Sequence, residues 1–274
     1  MRMILVFITI IIPTVCYPTS VYQSQNEQGR TVFSDQPSDN ATLISVKSKP
    51  YRYRVSLKRV IDGDTLELQS GQVIRLLGIN TPEVLSRYRD GEAGGEQAKK
   101  WLKEMLSQPE LFIEYDQQQR DKYDRALAHC FLPDGRYLNA MLIEQGLASL
   151  TLIPPNLRYS DKLIAAQNKA EQAKKGLWSL SDYRVKRLSE LKTGKNYRGW
   201  QRIKLKLKSI KYGKKTVFLE ANTHFRLAIK KKDITYFGDL KSYLNQTFEV
   251  RGWIRRQGKQ FYMNVSHPSA IISQ

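Results

Sequence analysis

Apolar and polar positions alternate with a period of two over several short stretches near the middle of this chain. Val55, Leu57, Val60 and Ile61 lead into Thr65-Leu66-Glu67-Leu68, and Val73-Ile74-Arg75-Leu76-Leu77 follows. Alternation with β-branched content predicts strands, and Asp62-Gly63 and Ser70-Gly71 supply the turns between them. The period then changes. Ala98, Trp101, Leu102 and Met105 fall at helical spacing within residues 95–106, which predicts a helix. Residues 111–115 and 126–131 read as further strands, and residues 138–145 and 160–175 as helices stopped at Gly146 and Gly176. This order predicts a mainly β fold with α: a curled sheet capped by helices.

A second region of alternation begins near residue 200. Ile203, Leu205 and Leu207 interleave with Lys204, Lys206 and Lys208, and a turn at Gly213-Lys214-Lys215 follows. Residues 216–219, 225–229, 248–254 and 261–265 add strands around a helix-like insert at 235–244. Five strands with one insert predict a second small β-barrel. The charged stretch between the two regions, residues 183–195, reads as a linker, which places the domains at 51–182 and 196–274.

The first 50 residues follow other rules. A basic start and a short apolar run from Ile4 to Val15 read as an export signal, residues 1–16. The run is shorter than the roughly 20 apolar residues that span a bilayer. Cleavage after Cys16, lipidation of Cys16 and retention as an anchor all remain open. Residues 17–50 form a short module in which Asn26-Glu27-Gln28-Gly29 predicts a hairpin turn. The Tyr22, the Gly turn and the ending Phe33-Ser34-Asp35-Gln36-Pro37 resemble a small module of Gram-negative envelope proteins, which implies a periplasmic or secreted address. No later segment is predicted to cross a membrane.

Composition narrows the chemistry. Two Cys and three dispersed His among 274 residues exclude a disulfide framework, a Cys-rich zinc site and a His-based centre. Forty-five Lys and Arg against 26 Asp and Glu give a net charge of +19, which favours polyanionic partners. That charge is unevenly spread: residues 184–274 hold 22 of the Lys and Arg but 5 of the Asp and Glu. The tail is therefore expected to capture polyanions while a nearly neutral centre acts on them. Lys204, Lys206 and Lys208 have a plainer alternative as solvated edge-strand lysines.

Polar residues within the central strands carry the candidate chemistry. Asp62 and Asp64 flank a turn, Arg75 interrupts an apolar strand, and Asn80-Thr81-Pro82-Glu83 forms the next turn. An Arg in a buried strand needs an anionic partner, and Glu83 is near enough in sequence to supply it. Four segments stand in order: Ile61-Asp62-Gly63-Asp64-Thr65, Arg75-Leu76-Leu77-Gly78-Ile79-Asn80-Thr81-Pro82-Glu83, Asp121-Lys122-Tyr123-Asp124-Arg125, and Asn139-Ala140 through Gly146-Leu147-Ala148. Together they resemble the staphylococcal (micrococcal, thermonuclease) nuclease family over about half the chain, ending at Trp178.

That resemblance implies a five-stranded OB-type barrel with three helices that cleaves DNA and RNA phosphodiesters with Ca²⁺. It implies Asp64, Asn80 and the Thr81 carbonyl as metal ligands and Lys122 and Tyr123 as contacts to a nucleotide phosphate. Glu83 fits a base for the attacking water, and Arg75 and Arg125 fit phosphate clamps. Asn80 stands where the family has a second aspartate, so weaker Ca²⁺ binding is expected, and Mg²⁺ or another divalent ion is admitted. Residues 150–154 lack the family's base-stacking tyrosines; Tyr159 or Tyr88 could compensate. The tail resembles the OB-like tail of some bacterial homologues at Val250-Arg251-Gly252-Trp253 and Val265-Ser266-His267-Pro268.

The expected function is an exported, metal-dependent nuclease of little sequence specificity acting on DNA and/or RNA, with no obligate protein partner. Two other classes compete. One is a catalytically silent nucleic-acid-binding envelope protein; the other is an envelope protein whose basic surface binds anionic lipid or polysaccharide.

Overall fold

A computed structural model describes residues 21–273 apart from 27, 35, 39, 45–49, 86–89 and 192–198. The leader and Tyr88 lie outside the described residues. The chain divides into two compact units, Met1–Pro50 and Tyr51–Gln274. In the first, β1 (Val21–Gln25) pairs with β2 (Thr31–Ser34) and β3 (Thr42–Ile44) in a three-stranded antiparallel sheet. The Asn26 carboxamide accepts from the Gln28 and Arg30 amides and closes the predicted hairpin.

The second unit opens with a closed barrel. β4 (Tyr53–Asp62), β5 (Thr65–Leu68), β6 (Val73–Leu76), β8 (Glu110–Arg120) and β9 (Ala126–Phe131) form a ring in the order β4-β5-β6-β9-β8. The short β7 (Ile79–Asn80) pairs with β10 (Ser149–Leu150) at its mouth. Leu66, Ile74, Leu76, Leu111 and Ile113 fill the ring, as the alternation demands. Three helices pack outside it: α1 (Gly95–Met105), α2 (Leu138–Glu144) and α3 (Ser160–Gln172), through Leu102, Leu142 and Leu163 among others. The expected OB-type five-stranded barrel capped by helices is thus the observed one. α3 ends earlier than its periodicity suggested, because Lys174 takes a left-handed conformation and no turn of helix can pass it.

Where a second five-stranded barrel was expected, the chain builds a sheet of eight strands whose order does not close on itself. β11 (Val185–Arg187), β12 (Trp200–Lys206), β13 (Ser209–Tyr212), β14 (Thr216–Asn222), β15 (Phe225–Lys230), β16 (Thr247–Gln257) and β17 (Gln260–Asn264) lie in the order β11-β12-β16-β17-β15-β14-β13, and β18 (Ile271–Ser273) pairs with β16. Ile203, Leu205 and Leu207 point inward while Lys204, Lys206 and Lys208 are exposed. The predicted run 203–210 is broken at Leu207. There the chain changes partners: the Leu207 amide bonds the Gln246 carbonyl and the next amide bonds Glu220. The helix-like insert is two 3₁₀ turns, Lys231–Tyr236 and Leu240–Tyr243, the second started by the Asp239 carboxylate on the Lys241 amide. Within the stretch read as a linker, Val185–Arg187 adds a parallel edge strand to β12.

The barrel and the second sheet of this unit are fastened together. Trp200 packs among Leu177, Trp178, Leu180 and Tyr183, with ring centroids 6.1 Å from Trp178 and 5.9 Å from Tyr183. Beside that apolar seam, Arg251 holds Glu171 of α3 at 2.7 Å and Glu249 at 2.5 Å, and Arg202 holds Glu249 at 2.7 Å. Burial alone would raise the Glu249 carboxyl, but Arg202 and Arg251 hold it below the usual range. Removing one member strands the others. Arg251→Met is expected to cost about 3 kcal/mol and to lower the melting temperature in a thermal melt at neutral pH. Arg255→Met, at an exposed position of the same strand, is expected to leave it unchanged.

Candidate active site

The site begins with two glycines. A Cβ on Gly63 would lie 2.7 Å from the Ala98 Cβ and 2.8 Å from the Thr81 side chain; one on Gly95 would lie 2.5 Å from the Glu83 carbonyl oxygen. Only glycine lets the Asp62–Asp64 turn, the Thr81–Glu83 segment and the start of α1 approach so closely. Asp62 shapes its own turn by accepting the Asp64 amide on Oδ1 at 3.0 Å. Glu83 is fixed through its backbone: its amide donates to the Glu92 carboxylate at 3.0 Å, and its carbonyl accepts the Glu92 amide at 2.8 Å.

Asp64 is the buried centre of this arrangement. Its Oδ2 meets Arg75 Nη2 at 2.8 Å and accepts the Thr81 amide at 2.9 Å, while Oδ1 accepts the Thr65 hydroxyl at 3.1 Å. The carboxylate that Arg75 meets is therefore Asp64. The other Nη hydrogens of Arg75 are also taken, by the Leu76 and Ile79 carbonyls and by Asn80 Oδ1, each at 3.1 Å. Burial pushes the Asp64 carboxyl up to about 6, against the opposing pull of Arg75. Asn80 in turn donates its amide to the Thr81 carbonyl at 2.9 Å.

Across the cavity stands Arg125. Asp121 takes Nε and Nη2 of that guanidinium, both at 2.8 Å, and also accepts the Tyr123 and Arg125 amides. One edge of the fork is thus held while the other is left for a ligand. Burial alone would raise Asp121, but Arg125 and the two amides hold it below the usual carboxylate range.

One cavity of about 340 Å³ is walled by Asp64, Arg75, Asn80, Thr81, Glu83, Tyr123 and Arg125, with Asp62, Thr65 and Pro82. Seven of the eight residues singled out from sequence line it. The eighth, Lys122, sits at the rim with its Nζ 4.7 Å from the Tyr123 ring centre. Sequence reasoning quoted Asp121 within its motif without giving it a task, and it passed over Glu92, whose partner lies nine residues away. Nothing in a local pattern marks such anchors. Among the described residues there is no cluster of three or more His, Cys, Asp or Glu suited to a metal. The available donors are the Asp64 carboxylate, the Asn80 amide oxygen and the Thr81 carbonyl, all hard oxygens of the kind that hold Ca²⁺ or Mg²⁺.

Two guanidinium groups facing one cavity, with carboxylates at its base, suit hydrolysis of a phosphate ester. Residues 73–180 match the family model described as staphylococcal nuclease homologue. The chain is 32% identical to the thermonuclease of Staphylococcus hyicus over 146 residues, covering 52% of this chain and 83% of that protein. It is 35% identical to the thermonuclease of Staphylococcus intermedius over 125 residues, 44% of this chain and 74% of the relative. It is 33% identical over 154 residues to endonuclease YncB of Bacillus subtilis, 54% of this chain and 72% of that protein. The chain belongs to the staphylococcal nuclease family and is a phosphodiester hydrolase.

The raised Asp64 carboxyl has a consequence for stability. The folded protein holds that proton more tightly than the unfolded chain, whose value is near 3.8. The group therefore favours folding below pH 3.8 and loses that contribution as the pH rises through about 6. At neutral pH the ionised form is a burden on the fold. Asp64→Asn, which mimics the protonated group, is expected to gain about 1–3 kcal/mol at pH 8 in chelator. At pH 4 the gain should vanish; denaturant titrations at the two pH values measure both.

Proposed function

We propose that this chain is an exported, metal-dependent nuclease that hydrolyses phosphodiester bonds in DNA and/or RNA with little sequence specificity. The observation that carries the reading is the gathering of Asp64, Arg75, Glu83 and Arg125, which come from three separate sequence segments, around one cavity. The relatives' names, thermonuclease and endonuclease, point the same way. The apolar leader supports export, and no helix among the described residues is long and apolar enough to cross a membrane.

The donor set fits a hard divalent cation, Ca²⁺ or Mg²⁺. A buried carboxylate whose proton affinity stays high beside an arginine is a place still short of positive charge. Asp64, Asn80 and the Thr81 carbonyl would hold the ion, with Asn80 contributing dipole rather than charge. Bound there, the cation supplies Lewis-acid stabilisation of the phosphate oxygens.

The chain's own residues do the rest. Glu83, held by its backbone at the cavity wall, takes the proton of the attacking water. Arg125, braced by Asp121, offers the free edge of its fork to a non-bridging oxygen, where the hydrogen bonds strengthen as charge develops. Arg75 acts mainly through its charge, since its Nη hydrogens are spent on Asp64, Asn80 and two carbonyls. Lys122 and Tyr123 at the rim contact a neighbouring phosphate. Outward Lys204, Lys206 and Lys208 capture the polyanion.

One observation favours the catalytically silent alternative: Asn80 closes on Arg75 and Thr81 through both ends of its amide. Cleavage of plasmid and single-stranded DNA with Ca²⁺, Mg²⁺ or chelator separates the two readings. Metal-dependent cleavage is expected, with Glu83→Gln slower by about 10²–10⁴-fold. Salt-sensitive binding without any cleavage would instead establish the silent protein. Asp121→Asn is expected to lower kcat by about tenfold, since an unbraced Arg125 loses its orientation. Changing Lys204, Lys206 and Lys208 to Gln should flatten the slope of log affinity against log salt by about 2–3. The saturated rate should not move; an unchanged slope would remove these lysines from the capture surface.

A further inference from the structure

A second cavity, of about 270 Å³, lies beside the first, and Arg75, Asn80 and Arg125 line both. Its character differs. Leu76, Ile79 and Leu127 give it an apolar lining, and Trp253 of β16 joins that lining from the second sheet. Trp253 keeps 39% of its surface exposed, and indoles are enriched where proteins meet a partner.

The strand that carries this ring is not free to drift. Trp253 is the register partner of Trp200, which is buried in the seam between the barrel and the second sheet. Arg251, two residues earlier and therefore on the same face of the strand, is clamped to Glu171 of α3. The indole is thus held rigidly where the phosphate-binding cavity opens sideways. A nucleotide whose phosphate lies between Arg75 and Arg125 would place its base at this apolar opening. The first barrel brings Thr151 and Ile153 there and no aromatic ring.

We infer that Trp253 is a stacking platform for the nucleobase next to the cleaved phosphate, so that the second sheet completes the substrate site. The inference rests on the nucleic-acid reading of the neighbouring cavity. Stacking suits a nuclease of low specificity, because every base offers a π face. The competing role for the ring is an apolar plug between the barrel and the second sheet, which would affect stability and not base recognition.

The test compares Trp253→Ala and Trp253→Phe in the full chain. Affinity is measured in chelator by fluorescence anisotropy for a short single-stranded DNA and for a matched strand lacking its bases. Trp253→Ala should weaken binding of the normal strand by about tenfold or more and leave the abasic strand unaffected, while Trp253→Phe retains most of the affinity. Where cleavage is measurable, KM should rise more than kcat falls. Equal affinity of wild type and Trp253→Ala for the normal strand would overturn the inference, as would equal losses on the two strands. Both readings come from binding, so they stand even if wild type cleaves nothing, a result that would sink only the catalytic proposal.

Discussion

The arrangement of the first barrel turns on a single buried carboxylate. Asp64 ties together three pieces of chain: its own turn, β6 through Arg75, and the Thr81 amide beyond β7. A carboxylate this deep is costly, and the structure offsets the cost only in part, with one guanidinium, one amide and one hydroxyl. A core built for stability alone would put an apolar side chain or a neutral amide there. Retaining the charge keeps a local deficit of cations at the base of an open cavity, and that deficit is what a substrate-processing site for anions and metals requires.

Much of this could be read from the chain itself, because the informative signals were local. Period-two runs located strands of both the barrel and the second sheet, since an inward-facing residue at every second position is a requirement of a half-buried strand. The candidate site residues were legible for a different reason: Arg75 is polar where the pattern calls for apolar, a conflict that folded proteins tolerate mainly at working sites, and Asp64 stood out through the family resemblance of its turn. Long-range choices were not legible. Alternation at residues 203–210 says which side faces the core but not which neighbour is hydrogen-bonded, so the change of partner at Leu207 stayed hidden. The insert at 235–244 read as helix-like, yet it forms 3₁₀ turns that bury Phe237 and Leu240 in the second core. Arg75 was matched with an acidic residue near it in sequence, Glu83, whereas antiparallel pairing of Thr65 with Arg75 brings Asp64 to its side.

The concentration of positive charge in the last third of the chain suggested a capture module loosely joined to a cutting one. In the structure the two parts are fastened together. Arg202 and Arg251, two of the tail's cations, are not available to a polyanion, being committed to Glu171 and Glu249. What they do instead is set the orientation of the second sheet, so that the exposed lysines of β12 and the indole of β16 have fixed positions relative to the cavity. Charge that is spent internally thus decides where the remaining charge is presented.

This rigidity bears on the proposed mechanism. If Asn80 holds the cation where an aspartate would, one formal negative charge is absent and less of the binding energy comes from the ion. In that proposal catalysis depends more on contacts that would hold the strand in line: phosphate at Arg125, the neighbouring phosphate at Lys122 and Tyr123, the base at Trp253. Binding energy gathered at such remote contacts can be used to orient the reacting bond, but only if those contacts are rigidly placed. A floating tail would raise affinity without improving alignment. A tail fastened by the Trp200 seam and the Arg251–Glu171 pair can do both.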